Sequence, residues 1–310
     1  MPEIPVYDHQ TVLAAVSPTE AIERVRDGFV HYAHGDWEMP AKVYLQAPTG
    51  DFRAMPAQGG GLAILKWITS FPGNPQRGLP VVQGLVCVSR AETGEPLALI
   101  DARANTAQRT GALAAVAAQE LAREDAATVG IVGCGIYGSW AARCLAAHEY
   151  GPGICFDPDP DAAGALAGAL GWEAGAREDA LSCDIVTCVT PGHEPVAGAA
   201  DLRAGSHLNM LGADGPGKAE MEIDAVLRCR LFCDEWRQAS HGGELTGAVE
   251  AGRVAREDVT ELGDVLTGRA PGRTSDDEVT LFDSTGLAIQ DLALCHAVLE
   301  AAPKGQSIRI

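Results

Sequence analysis

The segment "TVGIVGCGIYGSWAARCLAA" constrains the fold of this chain more than any other. A short apolar run leads into Gly133, Gly135 and Gly138, spaced as G-x-G-x-x-G, and an alanine-rich helical pattern follows at once. Each glycine answers a separate steric demand. Gly133 permits a tight turn, Gly135 lets a pyrophosphate approach the backbone, and Gly138 lets helix and strand pack closely. Ile136 and Tyr137 open the helix whose N-terminal N–H groups would face the phosphates. A glycine cluster can also serve a plain turn. Here a strand before it, a helix after it and an acid 24 positions past Gly133 together point to a dinucleotide site.

That acid is Asp157, which ends the run "GICF". A carboxylate there hydrogen-bonds the ribose hydroxyls of NAD and repels the 2′-phosphate of NADP. The alternative is a solvated turn acid, the role left to Asp159 and Asp161. Further on, "CDIVTCVT", "SHLNMLGA" and "RLFCD" read as strands separated by helices or short loops, an alternation that predicts a parallel sheet covered on both faces.

The first third has a different texture. Ser17 as N-cap, Pro18 in the first turn and Glu20 three residues past the cap predict a helix through "SPTEAIERVRDGFVHYAHG", with Ile22, Val25 and Phe29 on its apolar stripe. From Met39 to Ile100, the runs "AKVYLQA", "LAILKWITSF", "PVVQGLVCVS" and "LALI" predict a mostly antiparallel sheet, with "AETGEP" as a hairpin turn. The tail ends in a helix carrying Leu287, Asp291, Leu294 and Val298 at helical spacing. The expected fold class is α/β: a Rossmann-fold dinucleotide-binding domain over 114–287, plus an α+β domain from 1–113 to which the last helix, within 288–310, would return.

Charge narrows the partners. With 42 acidic against 23 basic side chains the net charge is -19, and the basic residues are scattered singly, which disfavours nucleic acid and anionic membrane surfaces. The nine cysteines show neither CxxC spacing nor nearby histidine pairs, so free thiols in a reducing compartment, and no metal, are expected. The opening "MPEIPVYDHQ" lacks the basic and apolar regions of a secretion signal, and no apolar run reaches the ~18 residues of a membrane span, which makes the expected location cytoplasmic.

Within "LAILKWITSF" stands Lys66, a lysine inside an apolar strand. It must lie on a wet edge or be held by an anion. Asp214, in "GADGPGK", reads by itself as a turn residue.

The stretches "MPAKVYLQAPTGDFRAMPA", "KWITSFPGNPQRGLPVVQG", "TGEPLALIDARANTAQRTGA", "NMLGADGPGKAEM" and "LFDSTGLAIQD" resemble the ornithine cyclodeaminase/μ-crystallin family, and the likeness extends over nearly the whole chain. The resemblance implies interconversion of amino acids and imines with a nicotinamide cofactor, in a homodimer, with 1–113 and 288–310 forming the domain that binds substrate and dimerises. It implies that Lys66 and Arg109 hold the substrate carboxylate, Arg109 also lying near the cofactor, and that Asp214 is the catalytic acid/base. Thr190, the segment Leu208, Asn209, Met210 and Leu211, together with Lys218 and Ser284, match cofactor-lining positions. Thr285 matches a substrate-side position often occupied by valine. Lys42 stands where many members carry arginine, and Arg53 where diamine-using members carry a glutamate. Two like charges ~4 Å apart at an effective dielectric of 20 repel by about 4 kcal/mol, so Arg53 would exclude ornithine. The pair Lys42/Arg53 instead resembles the archaeal alanine dehydrogenases, polarising a carbonyl or binding a second acidic group.

The expected function is therefore an NAD-dependent amino-acid dehydrogenase or imine reductase acting on a small 2-oxo acid. The alternatives are an ornithine or lysine cyclodeaminase that recycles its NAD, and a non-catalytic ligand carrier.

Overall fold

The computed structural model describes residues 3–192, 194–215, 217–303 and 305–309. The chain opens with β1 (Glu3–Tyr7), α1 (His9–Ala15) and α2 (Pro18–His34), followed by β2 (Val43–Ala47), β3 (Gly50–Gly59), β4 (Leu62–Ser70), β5 (Val82–Arg90) and β6 (Pro96–Asp101). After α3 (Ala102–Leu121) come β7 (Val129–Val132), α4 (Ile136–Ala147), β8 (Gly153–Phe156), α5 (Pro160–Leu170), β9 (Glu173–Ala174), α6 (Arg177–Leu181), β10 (Ile185–Cys188) and β11 (His207–Met210). The remainder is α7 (Ile223–Val226), β12 (Arg230–Cys233), α8 (Trp236–Gly242), α9 (Thr246–Glu250), β13 (Val259–Glu261), α10 (Leu262–Leu266), β14 (Thr280–Asp283), α11 (Ala288–Ala301) and β15 (Ser307–Arg309). Two compact units result, Met1–Arg109 with Leu287–Ile310, and Thr110–Gly286. The division falls inside α3, a few residues before the expected cut at 113/114.

The first unit is built on a seven-stranded sheet ordered β15-β1-β6-β5-β4-β3-β2. Ser17 Oγ accepts the Glu20 N–H at 3.2 Å to start α2, and Gly35, at φ 82°, ends it in the left-handed region that an L side chain resists. Along β4 the side chains alternate: Ile64, Lys66 and Ile68 are buried, while Leu65 and Trp67 are exposed. Helix α11 packs against α2, β3 and β4. Strands β1, β3 and β15 and helix α1 escape the sequence pattern. The short helix α1 is capped by Asp8, whose carboxylate accepts the Thr11 N–H at 2.9 Å. Strand β3 contains Pro56, which ordinarily argues against a strand. The ladder to β2 runs only from Gly50 to Ala54, so Pro56 stands on a stretch where its missing donor breaks no β2 bond.

The second unit carries an eight-stranded parallel sheet ordered β13-β12-β14-β11-β10-β7-β8-β9. Its core joins Val186, Cys188, Leu208, Met210, Met221 and Leu281. The chain goes from β7 to β8 on one side and returns to β10 on the other, which makes the carboxyl ends of β7 and β10 the topological switch point where open α/β sheets bind ligands. All nine cysteines are free thiols. Among the described residues no helix is long and apolar enough to cross a membrane.

Candidate active site

The glycine loop lies at that switch point. Gly133 has φ +100°, and a Cβ placed there would stand 2.6 Å from the carbonyl oxygen of Val189, just past β10. A Cβ on Gly138 would fall 1.9 Å from the Gly133 carbonyl oxygen, so helix α4 approaches the loop as closely as backbone allows. Gly135 is different. A Cβ there meets nothing, and Gly135 with Ile136 is exposed at the N-terminus of the 12-residue α4. This open, positive helix end fits a dinucleotide pyrophosphate. Asp157 follows β8, and its carboxylate accepts the N–H of Cys134 at 2.7 Å and of Asp159 at 2.9 Å. It is tied to the glycine loop, and a carboxylate with about four lone-pair sites retains acceptor capacity for hydroxyls.

Other residues assigned to the cofactor fare unequally. Thr190 is half-buried after β10, with its N–H on the Glu220 carboxylate at 2.6 Å. Ser284 Oγ donates to Asp234 Oδ2 at 3.0 Å, and the same oxygen accepts the Gly286 N–H at 2.9 Å. Leu208 and Met210 are core side chains. Asn209 is fully buried, its amide engaged by Ala114 O and Thr187 Oγ1 at 3.2 Å each and by the His207 ring at 3.0 Å. Those three side chains are engaged within the sheet and its core. A motif match marks the segment and does not separate its backbone from its side chains. Asp214 pairs with Lys218, Nζ to Oδ1 at 2.6 Å, both side chains partly exposed. Lys218, matched to the cofactor, is thus first a neighbour of Asp214.

In the first unit the anion for Lys66 is present in the chain itself. Lys66 Nζ donates to Asp291 Oδ1 at 2.8 Å, with the two side chains 1% and 0% exposed. Arg109 Nε lies 3.8 Å from the same oxygen, and its Nη1 donates to Gln290 Oε1 at 3.0 Å. Burial pushes the Lys66 ammonium down to about 8, against the raising effect of Asp291, and the charges of Arg109 and Arg53 push it further the same way. Asp291 was legible: an acid amid "LAIQDLALCHAVL" must be buried and therefore paired, as must a lysine amid "LAILKWITS".

The sheet register brings Arg53 to the same group. Lys66 pairs with Met55 and Arg53 with Ile68, which puts Arg53 and Lys66 diagonally adjacent on the buried face. Arg53 is 7% exposed, donates to Asp51 at 2.6 and 3.2 Å, and lies over the Tyr44 ring at 5.5 Å. Asp51, two positions away on one strand face, went unnoticed in the sequence. It compensates the guanidinium and weakens the repulsion expected of a bare Arg53. Lys42 is half-buried just before β2, and Thr285 is buried after β14. Among the described residues the donors Arg109 Nε and Gln290 Nε2 are buried without hydrogen-bond acceptors and Asp291 Oδ2 is buried without a donor, so the group has both donor and acceptor capacity to spare.

A parallel sheet with a glycine loop at its switch point defines the dinucleotide-binding class of α/β proteins, and the other unit adds buried cations around one acid. The sequence profile of the ornithine cyclodeaminase/mu-crystallin family matches residues 6–306. Alanine dehydrogenase of Archaeoglobus fulgidus is 40% identical over 304 residues, covering 96% of this chain and 94% of that protein. The solved archaeal alanine dehydrogenase dimer with bound NAD superposes with a TM-score of 0.95 at 39% identity, covering 99% of each chain. The iminosuccinate reductase of Paracoccus denitrificans in complex with NAD+ superposes with a TM-score of 0.90 at 27% identity over 100% of each chain. The chain belongs to the ornithine cyclodeaminase/mu-crystallin family.

Proposed function

We propose that this protein is an NAD-dependent amino-acid dehydrogenase or imine reductase that interconverts a small 2-oxo or imino acid and the corresponding amino acid. The observation that carries the reading is the buried Lys66–Asp291–Arg109 group with Gln290 beside it, where the unsatisfied donors Arg109 Nε and Gln290 Nε2 suit a carboxylate. Lys66 gives the point charge and Arg109 the planar grip. Lys42 and Arg53 polarise the carbonyl or meet a second acidic group on the substrate, Thr285 borders the substrate, and Asp214 exchanges the proton on the substrate nitrogen. Gly133, Gly135, Ile136, Tyr137, Gly138, Asp157, Thr190, Leu211, Lys218 and Ser284 belong to the segments that hold NAD, with Arg109 beside it. A nicotinamide cofactor bound there would supply hydride transfer to or from the substrate carbon.

The direct test is NADH oxidation with ammonia plus pyruvate, glyoxylate, oxaloacetate and cyclic imines. Turnover of at least one is expected, and none with cofactor demonstrably bound would overturn the reading. Asp157→Ser is expected to narrow the preference for NADH over NADPH by about tenfold or more, since one charge repulsion and its ribose hydrogen bonds go together. A ratio of the two kcat/KM values unchanged from wild type would contradict this role.

A cytoplasmic homodimer completes the reading. Leu65, Trp67 and Leu85 stand exposed on the outer face of the sheet, beside Val43 and Leu45, and Phe52 stacks on Trp67 at 5.6 Å. Apolar patches of this kind mark protein interfaces. Trp67→Glu should convert dimer to monomer in sedimentation velocity, and a dimer of unchanged sedimentation coefficient at micromolar concentration would count against this face as the interface.

A further inference from the structure

One buried carboxylate in the second unit ties together the loops that leave two neighbouring strands. Glu220 is 0% exposed; one of its oxygens accepts the Thr190 N–H at 2.6 Å and the other the Gly212 N–H at 2.7 Å. Thr190 follows β10 and Gly212 follows β11, which are adjacent in the sheet. The two loops meet at backbone distance: a Cβ on Gly212 would stand 2.3 Å from the Thr190 carbonyl oxygen and 2.6 Å from the Glu220 carboxylate. A second tie runs through Gly192, whose N–H reaches Thr190 Oγ1 at 3.2 Å and whose carbonyl accepts the Ala219 N–H at 2.8 Å.

Glu220 is itself held from behind. The carboxylate of Glu244, 3% exposed, accepts the backbone N–H of Glu220 at 2.8 and 3.1 Å and that of Met221 at 2.7 Å. The carbonyl of Glu220 accepts the N–H groups of Val196 and Ala197 at 2.7 and 3.1 Å. Burying two acids so close together is costly, and burial raises Glu220 to about 6 and Glu244 to about 8. Charge-assisted bonds to Thr190 and Gly212 offset part of that cost and fix both loops at once.

We propose that Glu220 is a positioning residue for cofactor binding and proton exchange, holding Thr190 and the Gly212–Asp214 stretch in one rigid arrangement. The proposal rests on the reading of this unit as the NAD-binding one.

Glu220→Gln tests it with little change in volume. A carboxamide presents one oxygen and one NH2 group, so it must face either Thr190 or Gly212 with a donor against a donor. NADH affinity by fluorescence, kcat, the substrate KM at saturating NADH and the Tm are measured for variant and wild type. We expect the NADH dissociation constant to rise about tenfold or more and kcat to fall by a similar factor, with the substrate KM within about threefold of wild type. A role in stability alone would lower Tm and leave affinity and kcat within about twofold, which overturns the proposal. Wild-type protein that fails to bind NADH overturns the cofactor reading itself, and this role with it. Should Glu220→Gln not fold, Gly212→Ala wedges the same loops apart and should show the same loss of NADH affinity; unchanged affinity in that variant overturns the proposal equally.

Discussion

Asp291→Asn should lower the stability of the folded protein by about 3–5 kcal/mol at pH 7 and abolish turnover. The substitution leaves Lys66, 1% exposed, as a buried ammonium without its carboxylate. Its escape is to lose the proton, which from a folded pKa of about 8 costs only about 1.4 kcal/mol at pH 7, but Arg109, whose Nε lies 3.8 Å from the same oxygen, cannot escape that way and carries the larger part of the loss. Lys66→Met should cost less, because Arg109 Nε stays 3.8 Å from the Asp291 carboxylate. The double variant Lys66→Met/Asp291→Leu should recover most of the stability and none of the activity, since an apolar pair of similar volume replaces a buried ion pair well. A coupling of about 2 kcal/mol or more in urea unfolding is expected, and strict additivity would show that the pair does not act as a unit.

The pH dependence has a definite sign. The folded pKa of Lys66, about 8, lies below its ordinary 10.5, so the unfolded chain binds the extra proton between those values. Wild-type stability should therefore climb relative to Lys66→Met as pH rises from 8 to 10.5. In the same enzyme the proposed role of the Lys66 ammonium in meeting the substrate carboxylate requires kcat/KM to decline above about pH 8. A wild type whose stability falls relative to the variant over that range would contradict the assignment.

Asp214→Asn should lower kcat by about 10²–10⁴-fold while leaving NADH affinity within about threefold. Its Oδ1 lies 2.6 Å from Lys218 Nζ, and an asparagine keeps that contact and the side-chain volume while losing the exchangeable proton site. The loss should be confined to the step in which the substrate nitrogen changes protonation. Single-turnover measurement with enzyme and NADH premixed isolates that step from binding. A variant retaining a third of the wild-type rate would remove Asp214 from the chemistry.

How much of this was legible depended on the range of the interaction. The glycine loop, strand β7 and helix α4 are contiguous, so spacing alone located them. Lys66 announced itself as a charge in an apolar strand, but its partner lies 225 positions away, and only the recognition that Asp291 poses the same problem in α11 connects them. Asp51 and Arg53 share a strand face by the two-residue period, and Asp214 and Lys218 are four apart, so both pairs were within reach of local rules. Strand β3 was hidden by Pro56, whose place depends on where β2 ends. Glu220 gave no signal in "GKAEMEI", because its bonds go to backbone groups of loops that only the folded sheet brings together.

A carboxylate held by Lys66 and Arg109 would be missed when it is absent. With pyruvate and its uncharged amide as alternative substrates, wild type should prefer the acid by about two orders of magnitude or more in kcat/KM, and Arg109→Met should lose most of that preference. A variant that discriminates as strongly as wild type would remove Arg109 from the grip.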